Sequence, residues 1–141
     1  MVPKPPMNVM NVLPESPFAT DLGLQVVEWS AGKAVLSVEL TGRLLNRHGF
    51  GHGGVTATLL DVALAIAGRS LTGEWTLAGT VTLNLQFLAP AQGRLIAEGR
   101  LLRAGTTTAF CEGEARDQDG IIVAKATATY KIERRQESSS K

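Results

Sequence analysis

From Gly54 to Leu71 the chain holds no proline and, after Gly54 itself, no glycine until Gly68, and its apolar residues fall on all sides of a helical projection. A helix that is apolar all round is a buried helix. Every other periodic segment reads as strand. Leu24 to Glu28 and Ala34 to Leu40 form a pair joined at Ala31-Gly32-Lys33, with Ala34, Leu36, Val38 and Leu40 on one face against Val35, Ser37 and Glu39. From Trp75 onward, Leu77, Val81, Leu83, Leu85 and Phe87 alternate with Thr80, Thr82, Asn84 and Gln86, and Pro90 ends the run. Leu95 to Arg103, Thr107 to Arg116 and Ile121 to Ile132 follow, separated by Ala104-Gly105 and by a turn ending in Asp119-Gly120. Two strands, one buried helix and four strands in an antiparallel meander define an α+β fold, and a lone apolar helix is covered only when the sheet curls around it.

The periphery is polar or proline-rich. Five of the six prolines precede residue 18, which marks residues 1–15 as an extended leader, and residues 133–141 read as a polar tail. The folding unit is then residues 16–132, opening with Ser16-Pro17 as the cap and first position of a short helix over Phe18 to Leu22. With 14 Lys+Arg against 13 Asp+Glu the net charge is +1, so the chain carries no basic footprint for nucleic acid and no polybasic membrane anchor. Charged residues make up 19% and apolar residues 44%. A surface so short of charge is explained if part of it is buried against other copies of the chain, and a homo-oligomer is expected. Cys111 is the only cysteine, which excludes an internal disulfide and suits a reducing, cytoplasmic setting. No apolar run has the length of a secretory signal or of a membrane span.

Chemistry concentrates in Asn46-Arg47-His48-Gly49-Phe50-Gly51-His52-Gly53-Gly54 and in the helix that follows, which bears Asp61. A carboxylate set in Thr58-Leu59-Leu60-Asp61-Val62-Ala63-Leu64 either shares a thin solvated stripe with Thr58 or serves as a general base or nucleophile in a partly dry pocket. Gly53 and Gly54 stand where the helix begins, so their amides belong to its unsatisfied first turn, where the macrodipole adds positive charge. Without side chains they admit a carbonyl oxygen that becomes a tetrahedral oxyanion. His52 either orients a substrate, moves a proton or closes the loop. His48 and His52 do not make a metal pair, because spacing of four matters on a helix and no third ligand accompanies them. Gly49 to Gly54 fits G-x-G-x-x-G, yet no buried strand leads into it and no βαβ unit follows, so a dinucleotide site is rejected.

Asn46-x-x-Gly49-x-x-His52-Gly53-Gly54, Leu60-Asp61 seven residues past Gly54, and Thr82-Leu83-Asn84-Leu85-Gln86-Phe87-Leu88-x-Pro90 together resemble the hotdog-fold acyl-CoA thioesterases of the phenylacetate-degradation (PaaI-like) type, over residues 16–132. The resemblance implies an antiparallel, curved sheet of five to six strands wrapped around one long central helix. It also implies dimers that join sheets edge to edge, commonly paired into tetramers, with active sites at the dimer interface and no cofactor or metal. Asp61 then attacks the thioester or activates water, the Gly53 amide polarises the carbonyl, and Asn46 places substrate or water. His52 is the motif histidine, and Thr80 is the nearest match to a hydroxyl residue on the first strand after the helix. Gly54, Phe50, Asn84 and Pro90 fall on the substrate and CoA side of the pattern, and Leu44 and Leu45 join Phe50 as expected pocket walls. Where the family often carries a basic residue after the glycine of a later turn, this chain has Arg103-Ala104-Gly105-Thr106, which leaves Arg103 beside Gly105 as the phosphate contact.

Gly53 and Asp61 are two helical turns apart, about 12 Å at 1.5 Å per residue. One chain's pair is too widely spaced for one carbonyl carbon, which favours a site shared between subunits. Two other readings stay open: a hotdog domain that binds acyl-CoA without turnover, and a hydroxyacyl thioester dehydratase or hydratase. The second lacks the Phe-Pro and Pro-Gly motifs expected around its histidine.

Overall fold

The computed structural model describes residues 16–70 and 75–134, so the expected leader and nearly all of the expected tail lie outside the described residues. The elements are α1 (Pro17–Leu22), β1 (Gln25–Ser30), β2 (Lys33–Leu40), α2 (Gly53–Arg69), β3 (Trp75–Phe87), β4 (Gly93–Ala104), β5 (Thr108–Arg116) and β6 (Ile122–Arg134). The six strands form one antiparallel sheet in the order β1-β2-β4-β5-β6-β3, with α2 laid against its inner face. This is the expected sheet around one long helix, with one correction. The last four strands are not a meander, because β3 pairs with β6 at the far edge while β4 returns beside β2. The helix packs against every strand from β2 across to β3, so the strand that follows it starts a new edge and a crossover brings the chain back.

Two glycines bring the helix down onto the sheet. Gly99 of β4 and Gly113 of β5 face each other across the ladder. A Cβ on Gly99 would lie 2.8 Å from the Ala63 carbonyl oxygen and 3.0 Å from the Leu64 amide nitrogen; one on Gly113 would lie 2.7 Å from Leu64 Cδ1. Helix backbone therefore rests directly on strand backbone, a contact only glycine permits. The inner faces of β5 and β6 are correspondingly small: Ala109, Ala115, Ala124, Ala126 and Ala128 are all buried. Leu36, Val38 and Leu95 fill the space beside them against Leu59, Leu60, Leu64 and Ile66. At the far end of α2, the buried Ser70 hydroxyl accepts from the Gly32 amide and lies 3.0 Å from the carbonyl oxygens of Ser30 and Ala67, tying the helix to the β1–β2 turn.

Three local expectations change. Ser16 stands at the N-cap of α1, but its side chain makes no capping bond, and Pro17 at the first position starts the helix instead. α2 is not buried all round: Ala57, Thr58, Asp61, Val62 and Ala65 form a half-exposed stripe. In β3 the pairing with β6 slips between Thr80 and Thr82, so Val81 bulges out, 60% exposed, rather than sharing the inner face with Leu83 and Leu85. A bulge re-aims the side chains beside it. Thr80, which strict alternation puts with the polar residues, turns inward opposite Tyr130.

Gly99→Ala is expected to cost about 1–3 kcal/mol through overpacking against Ala63 and Leu64. Urea unfolding measures it, and an unchanged midpoint would contradict the backbone contact.

Candidate active site

The loop before α2 is built around one side chain. Asn46 Oδ1 accepts from the amides of His48 (2.9 Å) and Phe50 (3.1 Å), and its carbonyl accepts from Gly49 at 3.0 Å. Gly49 closes this turn at φ +83°, a conformation suited to glycine. The loop is then stitched to its surroundings by Gly51 donating to Ala91 and His52 donating to Leu44. With Oδ1 doubly occupied, Asn46 presents its side-chain nitrogen, which no acceptor among the described residues takes.

His52 is the N-cap of α2, and its Nδ1 accepts from the Gly54 amide at 2.9 Å. That contact corrects the expectation that both glycine amides stand open, because Gly54 spends its donor on the cap. Among the described residues no acceptor reaches the Gly53 amide, which remains at the positive end of a seventeen-residue helix. A cavity of about 660 Å³ opens in front of it, lined by Asn46, His48, Phe50, Gly53, Phe87 and Pro90 among others. Phe87 ends β3 and stands within 3.6 Å of where a Gly53 Cβ would be, so it supplies an apolar wall beside the free amide. His48 does not pair with His52; its Nε2 accepts from Arg47 Nε at 3.2 Å.

Asp61 lies in a different place. It lines a separate hollow of about 320 Å³ with Phe18 from α1, Thr58 and Val62 from α2, and Leu83 from β3. Its Oδ1 accepts from the Tyr130 hydroxyl at 2.9 Å and from Thr80 Oγ1 at 3.3 Å. Thr80, the hydroxyl residue on the first strand after the helix, thus stands at the carboxylate. Tyr130 went unnoticed in the sequence. The available signal was its place on the inward-facing run Ala124, Ala126, Ala128, Tyr130, Ile132, since a hydroxyl buried on an apolar face requires a partner. Burial first, and then the neighbouring Asp61 charge, push the Tyr130 phenol far above its ordinary range, so it remains a donor.

The structure thus gathers Asn46, Phe50, Gly53 and Pro90 at one cavity and Asp61 with Thr80 at another, and it does not join the two within one chain. Asn84 is exposed beside Thr127 on the outer side of β3, and Arg103 and Gly105 sit at the β4–β5 connection, none of them lining either cavity. Leu44 and Leu45 belong to the core and its border rather than to the cavity wall. Cys111 is buried, and loss of solvation pushes its thiol up to about 12, which removes it as a nucleophile.

A six-stranded antiparallel sheet around one central helix, with a loop amide free at the helix start and a hydrogen-bonded acid two turns on, defines a hotdog-fold protein of the acyl-thioester class. The family model "Thioesterase superfamily" matches residues 48–124. The "Medium/long-chain acyl-CoA thioesterase YigI" of Salmonella typhimurium is 33% identical over 132 residues, covering 82% of this chain and 85% of that protein. Among solved structures, a thioesterase family protein from Silicibacter pomeroyi is 27% identical, with a TM-score of 0.83, over 90% of this chain and 96% of that one. The phenylacetic acid degradation protein PaaI from Thermus thermophilus, solved as a point mutant, is 27% identical, with a TM-score of 0.75, over 82% and 98%. The chain belongs to the thioesterase superfamily.

The buried, high-lying Cys111 thiol is expected to stay silent toward a chromogenic disulfide reagent in the native protein and to react once in denaturant. Rapid labelling of the native protein would show that β5 opens.

Proposed function

We propose that the protein hydrolyses acyl-CoA thioesters to free acid and CoA in a site shared between two copies, with Asp61 of one facing the Gly53 amide of the other. The observation that carries this reading is the separation of the two chemical halves on one helix. The unclaimed Gly53 amide and the Asp61 carboxylate stand in different cavities, about 12 Å apart along α2. A symmetric dimer that brings the β3 edges together supplies the missing half to each cavity, since an isologous contact places residues of one copy opposite those of the other in both directions. Several features support that contact: β3 is an edge strand with its outer side unpaired among the described residues, Val81 and Phe87 are 60% and 57% exposed on it, and the half-exposed stripe of α2 flanks Asp61. Tetramers built from such dimers fit the low charge of the chain.

In this site the thioester carbonyl oxygen accepts from Gly53, where a preorganised donor at a helix start stabilises the oxyanion as it forms, worth about 3 kcal/mol of barrier. Asn46, with only its amide nitrogen uncommitted, places the substrate or the water. Asp61 takes a proton from water as the water oxygen attacks, the C–S bond then breaking and CoA leaving as the thiol with that proton; or Asp61 attacks the carbonyl itself, expelling CoA thiolate and forming a mixed anhydride, which water hydrolyses to the free acid and the regenerated carboxylate, the released proton going to the thiolate. His52 acts indirectly by holding Gly54 and thereby the angle at which Gly53 presents its N–H. Phe50, Phe87 and Pro90 form the apolar wall for the acyl or pantetheine arm. Arg103 beside Gly105 remains the proposed contact for CoA phosphate from another subunit, and Asn84 a proposed interface residue on the β3 edge. No helix among the described residues is long and apolar enough to cross a membrane, and the cytoplasm is the compartment the lone thiol suits.

Thiol release from phenylacetyl-, benzoyl-, hexanoyl- and palmitoyl-CoA tests the reading and ranks the acyl class. Asp61→Ala is expected to lower the rate by a factor of about a thousand or more, as loss of a proton-accepting or nucleophilic group does, with folding and oligomeric size unchanged. No release from any ester above background would contradict hydrolysis, and saturable binding without turnover would identify a binding domain instead.

A further inference from the structure

We propose that Tyr130 is a positioning residue that makes the two oxygens of Asp61 unequal, holding Oδ1 so that Oδ2 is the oxygen that acts on the thioester. The inference rests on the hydrolytic reading above and goes beyond it by assigning the reacting atom and the group that selects it.

The Tyr130 hydroxyl lies 2.9 Å from Asp61 Oδ1 and 2.9 Å from the Asp61 carbonyl oxygen. A phenol has one proton to give, and here both acceptors belong to the same residue. Whichever it serves, Tyr130 stays anchored to Asp61 and, through the carbonyl, to the backbone of α2. Thr80 adds a second donor, again to Oδ1. Among the described residues no donor reaches Oδ2. The torsion that turns an aspartate carboxylate is soft and two-fold, so on a half-exposed helix stripe its plane would otherwise wander. A tyrosine with 0% of its surface exposed, pinned on the inner face of β6, is a rigid stop for that rotation. The β3 bulge at Val81 points to the same arrangement, because only the slip in register brings Thr80 to the oxygen that Tyr130 already holds.

The electrostatic surroundings are simple. The hollow beside Asp61 is walled by Ser16, Phe18 and Ala19 of the α1 region, by Ala57, Thr58 and Val62 of α2 and by Leu83 of β3, so among the described residues no second charged side chain lines it. Besides Asp61, the titratable group that acts on Tyr130 is Cys111 from β5, which burial keeps protonated.

Tyr130 is the only tyrosine in the chain, so growth on 3-fluorotyrosine labels this position alone. The 19F resonance of the labelled protein is expected to move in Asp61→Asn, where the oxygen that accepts from Tyr130 loses its charge. An identical resonance in both proteins would overturn the inference, whether or not the enzyme turns over. In thiol release, Tyr130→Phe is expected to lower kcat by about tenfold or more with little change in KM, as loss of a hydrogen bond to a charged group does. An unchanged kcat would overturn the role. Should Tyr130→Phe fail to fold, the fluorotyrosine protein decides alone. A resonance that depends on Asp61 in a protein that releases thiol from no ester would overturn the catalytic reading, and with it the role given to Oδ2.

Discussion

The close seat of α2 on the sheet governs the rest of the molecule. With Gly99 and Gly113 opposite each other, the helix backbone at Ala63 and Leu64 meets β4 with no side chain between them, and the Leu64 side chain fills the space over β5. That height explains the alanines of β5 and β6, since larger residues there would lift the helix away. It also brings the sheet within reach of Asp61. The Tyr130 hydroxyl, at the inner surface of β6, reaches both the side chain and the carbonyl of Asp61 across that seat.

The second constraint is the direction of the helix. Its start carries the uncommitted Gly53 amide and the partial positive charge of the dipole, while the acid sits two turns further on. A helix cannot bend both onto one carbonyl carbon, which is the ground for the proposed site shared between copies. The exposed β3 edge and the partly exposed α2 stripe carrying Asp61 belong to the same side of the fold as these halves. An assembly that covers that side would complete the chemistry and shield the apolar surface of a charge-poor chain together.

Most of the architecture was legible because it rests on periodicity. The strand boundaries, the Gly120 turn and the long helix follow from alternation and from where glycine interrupts it. Strand order was not legible, because alternation says which face a residue takes and nothing about which strand lies beside it. The β3 bulge escaped for the related reason that a single extra residue leaves the composition of a strand unchanged while reversing the face of Thr80. At the site, Asn46, Gly53 and Asp61 stood out because polar or side-chain-free residues in apolar or turn settings demand a reason. Tyr130 did not, since an aromatic on an apolar strand face passes as core until its hydroxyl is asked for a partner. That His52 takes the Gly54 amide is likewise a matter of three-dimensional reach that spacing cannot supply.

The shared site is tested most directly by subunit complementation. Asp61→Ala and Asn46→Ala are each purified, shown to be crippled in thiol release, then unfolded together and refolded as an equal mixture. In a mixed dimer one of the two sites regains both an intact Asn46 and an intact Asp61, so recovery to about a quarter of the wild-type rate is expected from random pairing of a two-fold assembly. A mixture no more active than its separate components would place both groups in one chain's site and contradict the account.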